Sequence, residues 1–316
     1  MTTAGKAGEP ARILLTGASG FVGRHMQRAL AAAFPAASLL TQRVDIRDAG
    51  AVRGLVRETS PDVCVHLAAM AAIPDAQRDP DLAWAINLHG TLNIARVLLA
   101  EAPNCRMLYA SSADAYGATF RRGSALNEDA PLAPMNTYGA TKAAADLALG
   151  ALARDGLRVV RMRTFNHTGA GQTTGFVVPA FARQVARIAA GLQDPVMSVG
   201  NLDSRRDFTD VRDICDAYVA CIRAGTDVPD GTILNIASGE PRRIADILDD
   251  LIALAGVAVE IRPDPARMRA ADLPVTQGDS SLARRLIGWT PRRTWNETLQ
   301  SVMSDWQARV RADPAA

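Results

Sequence analysis

The stretch G17-A-S-G-F-V-G23 decides the fold. It follows the short apolar run R12-I-L-L-T16 and opens the helical pattern F21-V-G-R-H-M-Q-R-A-L30, so it is a glycine-rich turn from strand to helix. Glycine lets a backbone come close to a pyrophosphate, and a helix N-terminus offers unpaired N–H groups and the positive end of the helix dipole. Gly17, Ser19, Gly20, Phe21, Val22 and Gly23 are therefore candidate dinucleotide-binding residues. A tight turn without a ligand is the plainer alternative, and the strand context favours the cofactor.

Working outward, strand and helix signals alternate. S38-L-L-T41, D62-V-C-V-H-L67, C105-R-M-L-Y-A110 and L157-R-V-V-R-M-R163 read as strands, and 49–59, 81–102 and 138–154 as helices. Continuous apolar strands between helices imply a parallel sheet covered on both faces, an α/β, doubly wound Rossmann-type fold. After residue 170 the rhythm becomes irregular, with helices expected near 179–191, 244–255 and 296–310 and a strand at T232-I-L-N-I-A237. The expected division is a dinucleotide-binding domain over 1–170, with returning segments near 207–238 and 296–316. A smaller, interleaved substrate domain is expected over 171–206 and 239–295.

The chain has 316 residues, is 48% hydrophobic and balances 35 Lys+Arg against 33 Asp+Glu, which suits compact domains with a large core and gives no basic face for nucleic acid. Its four cysteines lack CxxC spacing and read as buried thiols, its four histidines suggest no metal site, and no apolar run approaches the ~20 residues of a membrane span. A cytoplasmic enzyme is the expectation.

In N136-T-Y-G-A-T-K142, Tyr138 and Lys142 are four residues apart and share a helical face. A cation near a phenol favours the phenolate, so Lys142 is expected to lower the Tyr138 pKa. A solvated helical face is the plainer reading of the pair alone. Near the end of the second strand the acidic residue usual for NAD is missing, and T41-Q42-R43 stands there. Arg43 either faces a 2′-phosphate, which favours NADPH over NADH, or is a solvated arginine.

These motifs, with V44-D-I46, H66-L-A-A69, N87, S111-S112-A-D-A-Y116-G and L286-I-G-W-T-P291, resemble the extended short-chain dehydrogenase/reductases in the same order over nearly the whole chain. F165-N-H-T-G-A-G-Q172, G200-N-L-D-S-R-R-D-F-T-D-V-R-D213 and R267-M-R-A-A-D272 resemble the branch that reduces GDP-4-keto-6-deoxy-D-mannose to GDP-D-rhamnose. The resemblance implies that Ser112, Tyr138 and Lys142 are catalytic. Ser112 would hydrogen-bond the sugar C4 oxygen, Tyr138 would pass it a proton, and Lys142 would hold the nicotinamide ribose. It implies Asp45 and Ile46 beside adenine, Leu67, Ala68 and Ala69 along the cofactor, and Phe165 and His167 near the nicotinamide. For the GDP-sugar it implies Asn166, Asn201, Arg206, Arg269 and Asp272, with Arg183 reaching for guanine. Ser111, beside Ser112 at the strand end, joins the expected substrate set. His66 and His25 are expected to be structural.

A 4,6-dehydratase is the alternative within the family, as is another nucleotide-sugar epimerase. Dehydratases of this branch carry a Glu two residues before the Tyr-Gly of the serine motif, where this chain has Asp114, one methylene shorter. Misplacing an acid by about 1 Å can cost on the order of 100-fold in rate. The reading from a different class is a non-catalytic NADP-binding sensor. Helices around W84-A-I-N-L-H-G-T-L-N-I-A-R-V-L-L and A143-A-A-D-L-A-L-G-A-L are apolar on more than one face, and the resemblance implies a homodimer joined there as a four-helix bundle.

Overall fold

The computed structural model describes residues 9–265 and 273–313. Strands β1 (Arg12–Thr16), β2 (Ser38–Leu40), β3 (Val63–His66), β4 (Arg106–Ser112) and β5 (Val159–Thr164) build most of the main sheet. Then come β6 (Asn166–Thr168), β7 (Val196–Val199), β8 (Arg205–Asp210), β9 (Ile233–Ile236), β10 (Pro241–Arg243), β11 (Glu260–Pro263) and β12 (Val275–Thr276). The helices are α1 (Phe21–Ala33), α2 (Ala49–Thr59), α3 (Ile73–Arg78), α4 (Pro80–Trp84), α5 (Thr91–Glu101) and α6 (Thr137–Arg154). They continue with α7 (Val177–Ala189), α8 (Val211–Ala224), α9 (Ile244–Ala255), α10 (Ser281–Ile287) and α11 (Trp295–Ala312).

The main sheet has six parallel strands in the order β2-β1-β3-β4-β5-β9. Alternation along each strand sends side chains to opposite faces. Ile13, Leu15, Leu108 and Met162 pack with Met26, Leu30 and Tyr218 from α1 and α8. Leu14, Cys64, Met107 and Tyr109 pack with Val52, Ile94, Leu98 and Leu149 from α2, α5 and α6. Both faces are covered by helices, as the continuous apolar strands predict. The chain order reverses between β1 and β3, and ligands of such sheets bind beyond the strand ends at that point.

The second core differs from the expected division. Leu299, Val302, Met303, Trp306 and Val310 of α11 recur at helical spacing and bury against α7 and α9. The segment expected to return to the first domain therefore packs into the second core as far as Val310. Conversely Ala283 of α10 and the neighbouring Trp289, placed by sequence in the second domain, pack on α8 and the main sheet. The Trp289 indole N–H donates to the carbonyl of Asp213, which fixes this placement.

One helix departs from its simple pattern. Residues 81–102 read as a single helix, but Ala85–Gly90 forms a π-helical turn between α4 and α5. Such widened turns recur at functional sites because they re-aim the side chains they carry.

Candidate active site

The turn after β1 is set by close backbone approaches. Gly17 has φ +72°, and a Cβ there would lie 2.7 Å from the Ala68 nitrogen. A Cβ on Gly23 would lie 2.2 Å from the Gly17 oxygen, so α1 starts as close to the strand end as backbone allows. Gly20 caps α1 without a side chain, and Gly20 N–H closes the turn on Gly17 O at 3.0 Å. The first N–H groups of α1 thus have no side-chain acceptor of their own, which fits an anion. Ser19, Phe21 and Val22 line the start of this helix. Phe21 stacks on His167 at 6.3 Å and meets His25 edge-on at 5.4 Å. His25 bonds Ala170 O at 2.8 Å, a structural role.

A buried polar chain ties this turn to the catalytic helix. Ala68 N–H donates to Thr16 Oγ1 at 3.3 Å, and Thr16 Oγ1 lies 2.7 Å from His66 Nδ1. His66 Nε2 lies 3.0 Å from Thr91 Oγ1, which itself donates to Asn87 O at 2.7 Å. Because Thr91 spends its proton on Asn87, His66 must carry hydrogen on Nε2 and accept at Nδ1 from Thr16. Burial, with Lys142 second, lowers the His66 pKa to about 3, so the ring stays neutral. Asn87, in the π-helical turn, accepts from Met70 N–H at 2.8 Å and donates to Thr141 Oγ1 at 3.0 Å. Thr141 in turn donates to Tyr138 O at 2.8 Å. Leu67 and Ala69 flank Ala68 in this segment. Among these residues Ala68, His66, Asn87 and Tyr138 stood out in sequence. Thr16, Thr91 and Thr141 carry no motif, and their one signal is a hydroxyl placed on an otherwise apolar face.

Asn93 donates its amide to Ile46 O at 2.9 Å and to Arg47 O at 3.0 Å, fixing the loop after β2. Ile46 is buried against Gly90, where a Cβ would lie 2.6 Å from its Cδ1. Asp45 is exposed, and its ion pair with Arg47 at 2.5 Å holds its pKa down to about 2. Arg43 is exposed and has no hydrogen bond or ion pair among the described residues.

The two serines at the end of β4 separate by strand alternation. Ser111 points toward α6 and donates to Asp146 Oδ2 at 2.6 Å, inside a buried cluster where Arg161 and Arg163 pair with the same carboxylate at 3.0 and 2.9 Å. Its hydroxyl is consumed there, which corrects the expectation that it serves the substrate. Ser112 points the other way, accepts from Asp114 N–H at 3.1 Å and donates to Asp114 Oδ2 at 3.3 Å, and its hydroxyl lies on the side of the Tyr138 phenol, where it opposes the rise of the phenol pKa. Gly139 makes this meeting fit, because a Cβ there would lie 2.7 Å from Asp114 O.

Tyr138 begins α6, whose cap Asn136 accepts from Gly139 N–H at 2.8 Å. The phenol pKa is pushed up, by burial first and then by the Asp114 carboxylate. The expectation that Lys142 would lower it is not met in the protein alone. Lys142 is itself buried, with Nζ 4.6 Å from the centre of the Tyr109 ring, and burial lowers its pKa to about 7.

Phe165 is buried in an aromatic cluster with Tyr116 and Phe120, its ring edge-on to Phe120 at 5.9 Å, so its side chain is committed to packing. Its carbonyl lies 3.0 Å from His167 Nδ1, and burial lowers the His167 pKa. Asn166 is exposed and pairs with Phe208 across β6 and β8. Arg206, on β8 between β10 and β12, donates to Leu273 O at 2.7 Å. Asn201 accepts from Asp203 N–H at 2.9 Å, and Arg183 lies half-buried on α7. Arg269 and Asp272 fall outside the described residues.

Residues 31–302 match the family model for GDP-mannose 4,6 dehydratase. The chain is 38% identical over 305 residues to the GDP-6-deoxy-D-mannose reductase of Pseudomonas aeruginosa, covering 96% of this chain and 99% of that one. It is 28% identical to the GDP-6-deoxy-D-talose 4-dehydrogenase of Aggregatibacter actinomycetemcomitans, over 88% of this chain and 91% of the relative. Among solved structures, RMD from Pseudomonas aeruginosa complexed with NADPH superposes with a TM-score of 0.88 at 36% identity, covering 95% of this chain and all (100%) of that one. With the parallel sheet, the glycine turn and the Ser112–Tyr138–Lys142 arrangement in place, the chain belongs to the GDP-mannose 4,6-dehydratase family of extended short-chain dehydrogenase/reductases.

Proposed function

We propose that this chain uses NADPH to reduce the C4 ketone of GDP-4-keto-6-deoxy-D-mannose, giving GDP-D-rhamnose. The observation that carries the reading is the near end-to-end likeness to a GDP-6-deoxy-D-mannose reductase, joined to a serine, a phenol and a lysine at one strand end. The cofactor fits the turn after β1: its glycines form a cradle that a Cβ would fill, and the first N–H groups of α1 have no side-chain cap. Gly17 to Gly23 would hold the pyrophosphate, Asp45 and Ile46 would flank adenine, and Leu67 to Ala69 would run along the cofactor. Arg43 supports a 2′-phosphate and hence NADPH, with NADH as the weaker partner. When bound, the reduced nicotinamide supplies the hydride that C4 receives.

The protein's part is to handle the oxygen. Hydride addition builds negative charge on the C4 oxygen, and donors already in place stabilise it. Ser112 donates a hydrogen bond to that oxygen, and Tyr138 gives it a proton. A phenol whose pKa is raised stays protonated at neutral pH, the form an acid in the reductive direction needs. Lys142 holds the nicotinamide ribose through its ammonium. Asn166, Asn201, Arg183 and Arg206, with Arg269 and Asp272, are assigned to the GDP-sugar, and arginine suits a diphosphate because its planar fork binds two oxygens together.

Two copies pair through α5 and α6 in this reading, and Leu147 on α6, 60% exposed, supports a partner there. Among the described residues no helix is long and apolar enough to cross a membrane, and all four cysteines are free and buried, which supports a reducing, cytoplasmic setting. The test supplies purified protein and NADPH with either GDP-mannose or its 4-keto-6-deoxy derivative. NADPH consumption with the ketone alone is expected. A ketone formed from GDP-mannose without net cofactor loss would make the chain a dehydratase.

A further inference from the structure

The turn after β1 meets the cofactor diphosphate with backbone N–H groups, and Gly17, Ser19, Gly20, Phe21, Val22 and Gly23 carry no charge among them. We propose that Arg24, in the first turn of α1, supplies the missing positive charge and is a further binding residue for that diphosphate. The inference rests on the cofactor placement given above.

Side chains on a helix lean toward its N-terminus, and Arg24 leans back over the turn. Its Nη1 donates to Ser19 O at 2.7 Å and its Nη2 to Gly171 O at 2.9 Å. Ser19 belongs to the glycine-rich turn and Gly171 to the loop after β6, so the guanidinium bridges the two. The loop side of this seat is fixed. Gly171 has φ +91°, a conformation that suits glycine, and its N–H donates to Asp305 Oδ2 of α11 at 2.9 Å. Asp305 is held in turn by Arg309 at 2.8 Å, and the neighbouring Ala170 carbonyl lies 2.8 Å from His25 Nε2.

A tie between two carbonyls needs donors but no net charge. Arg24 is exposed, and among the described residues no carboxylate pairs with it. Arg309, the other guanidinium beside Gly171, is already paired with Asp305 and stacked on Trp306 at 4.7 Å, so it cannot take this part. A dinucleotide's diphosphate carries about two negative charges, whereas a helix end offers roughly +0.5 of an elementary charge. The turn alone leaves most of that charge unanswered. Arg24 stands next to it with N–H donors beyond the two that the carbonyls occupy, in the planar fork that suits phosphate oxygens. Because both carbonyls hold the guanidinium in advance, little side-chain freedom is lost when the cofactor binds.

The test separates the charge from the tie. Arg24→Gln keeps a hydrogen-bond donor and removes the charge, and Arg24→Lys keeps the charge on a different head group. Fluorescence quenching should show the NADPH Kd raised roughly tenfold in Arg24→Gln and within about threefold of the parent in Arg24→Lys. Added salt should weaken NADPH binding less steeply in Arg24→Gln than in the other two proteins. Binding of 2′-phosphoadenosine, which has no diphosphate, should be the same in all three by isothermal titration, and their urea midpoints should agree. An unchanged NADPH Kd in Arg24→Gln, an equal loss in Arg24→Lys, or an equal loss for 2′-phosphoadenosine overturns the assignment. The cofactor reading fails separately, if the unaltered protein binds no NADPH.

Discussion

Lys142 lies with its ammonium nitrogen 4.6 Å from the centre of the Tyr109 ring, buried between β4 and α6. The contact softens the burial of a cation without removing it, and the lysine pKa sits at about 7, below the ordinary 10.5. Between those values the unfolded chain holds a proton that the folded protein has released. Stability from this group therefore rises with pH across that window and is lowest below about 7. Lys142→Met removes this trend, so denaturant midpoints of parent and variant should converge as the pH is raised. NADPH affinity should change the opposite way in the parent, weakening above neutrality as the ammonium that holds the ribose is lost. Isothermal titration across the same range checks it.

Gly139 admits no side chain. Gly139→Ala would press a methyl group onto the Asp114 carbonyl oxygen at 2.7 Å, against backbone that cannot swing away. We expect a loss of about 1–3 kcal/mol in stability, measured by urea unfolding, and a larger proportional loss of activity. The displaced turn carries Ser112.

Ser111 and Ser112 should differ in their effect on turnover. Ser111→Ala removes a buried hydrogen bond to Asp146 and should cost roughly 1 kcal/mol of stability with kcat nearly intact. Ser112→Ala loses the cap on the Asp114 N–H and should cost a similar amount of stability, but it should also lower kcat by roughly 100-fold. Measuring both properties on both variants separates the packing serine from the catalytic one.

Tyr138→Phe keeps the ring and removes only the proton donor. Reduction of the keto sugar should fall by at least about 100-fold while NADPH binding is retained. Keto-sugar reduction at the parent's rate would end the assignment of Tyr138 as the acid.

Arg43 is exposed and makes no hydrogen bond or ion pair among the described residues, so a substitution there disturbs little else. Arg43→Ala should raise the Kd for NADPH roughly tenfold and leave that for NADH almost unchanged, since a charge-assisted bond to a 2′-phosphate is worth about 1.5–3 kcal/mol. Equal affinities in parent and variant would place the phosphate elsewhere.

Much of this protein was legible along the chain because the signals are local. Apolar continuity predicts buried parallel strands, the turn at Gly17 follows from what a backbone without Cβ allows, and Tyr138 and Lys142 share a face because a helix turns every 3.6 residues. Other features depend on partners distant in sequence. Ser111 and Ser112 are adjacent and chemically identical, and only the placement of β4 against its neighbours sends one to Asp146 and the other to Asp114. Residues 81–102 keep a helical pattern throughout, yet packing against Met70 and Thr141 accompanies a π-helical turn at Asn87. Spacing alone has Lys142 lowering the Tyr138 pKa. Burial, a property of the assembled core, reverses that outcome by favouring the neutral forms of both the lysine and the phenol. Spacing along a chain determines which groups can share a face; the dielectric and the neighbours they meet there exist only after the chain has folded.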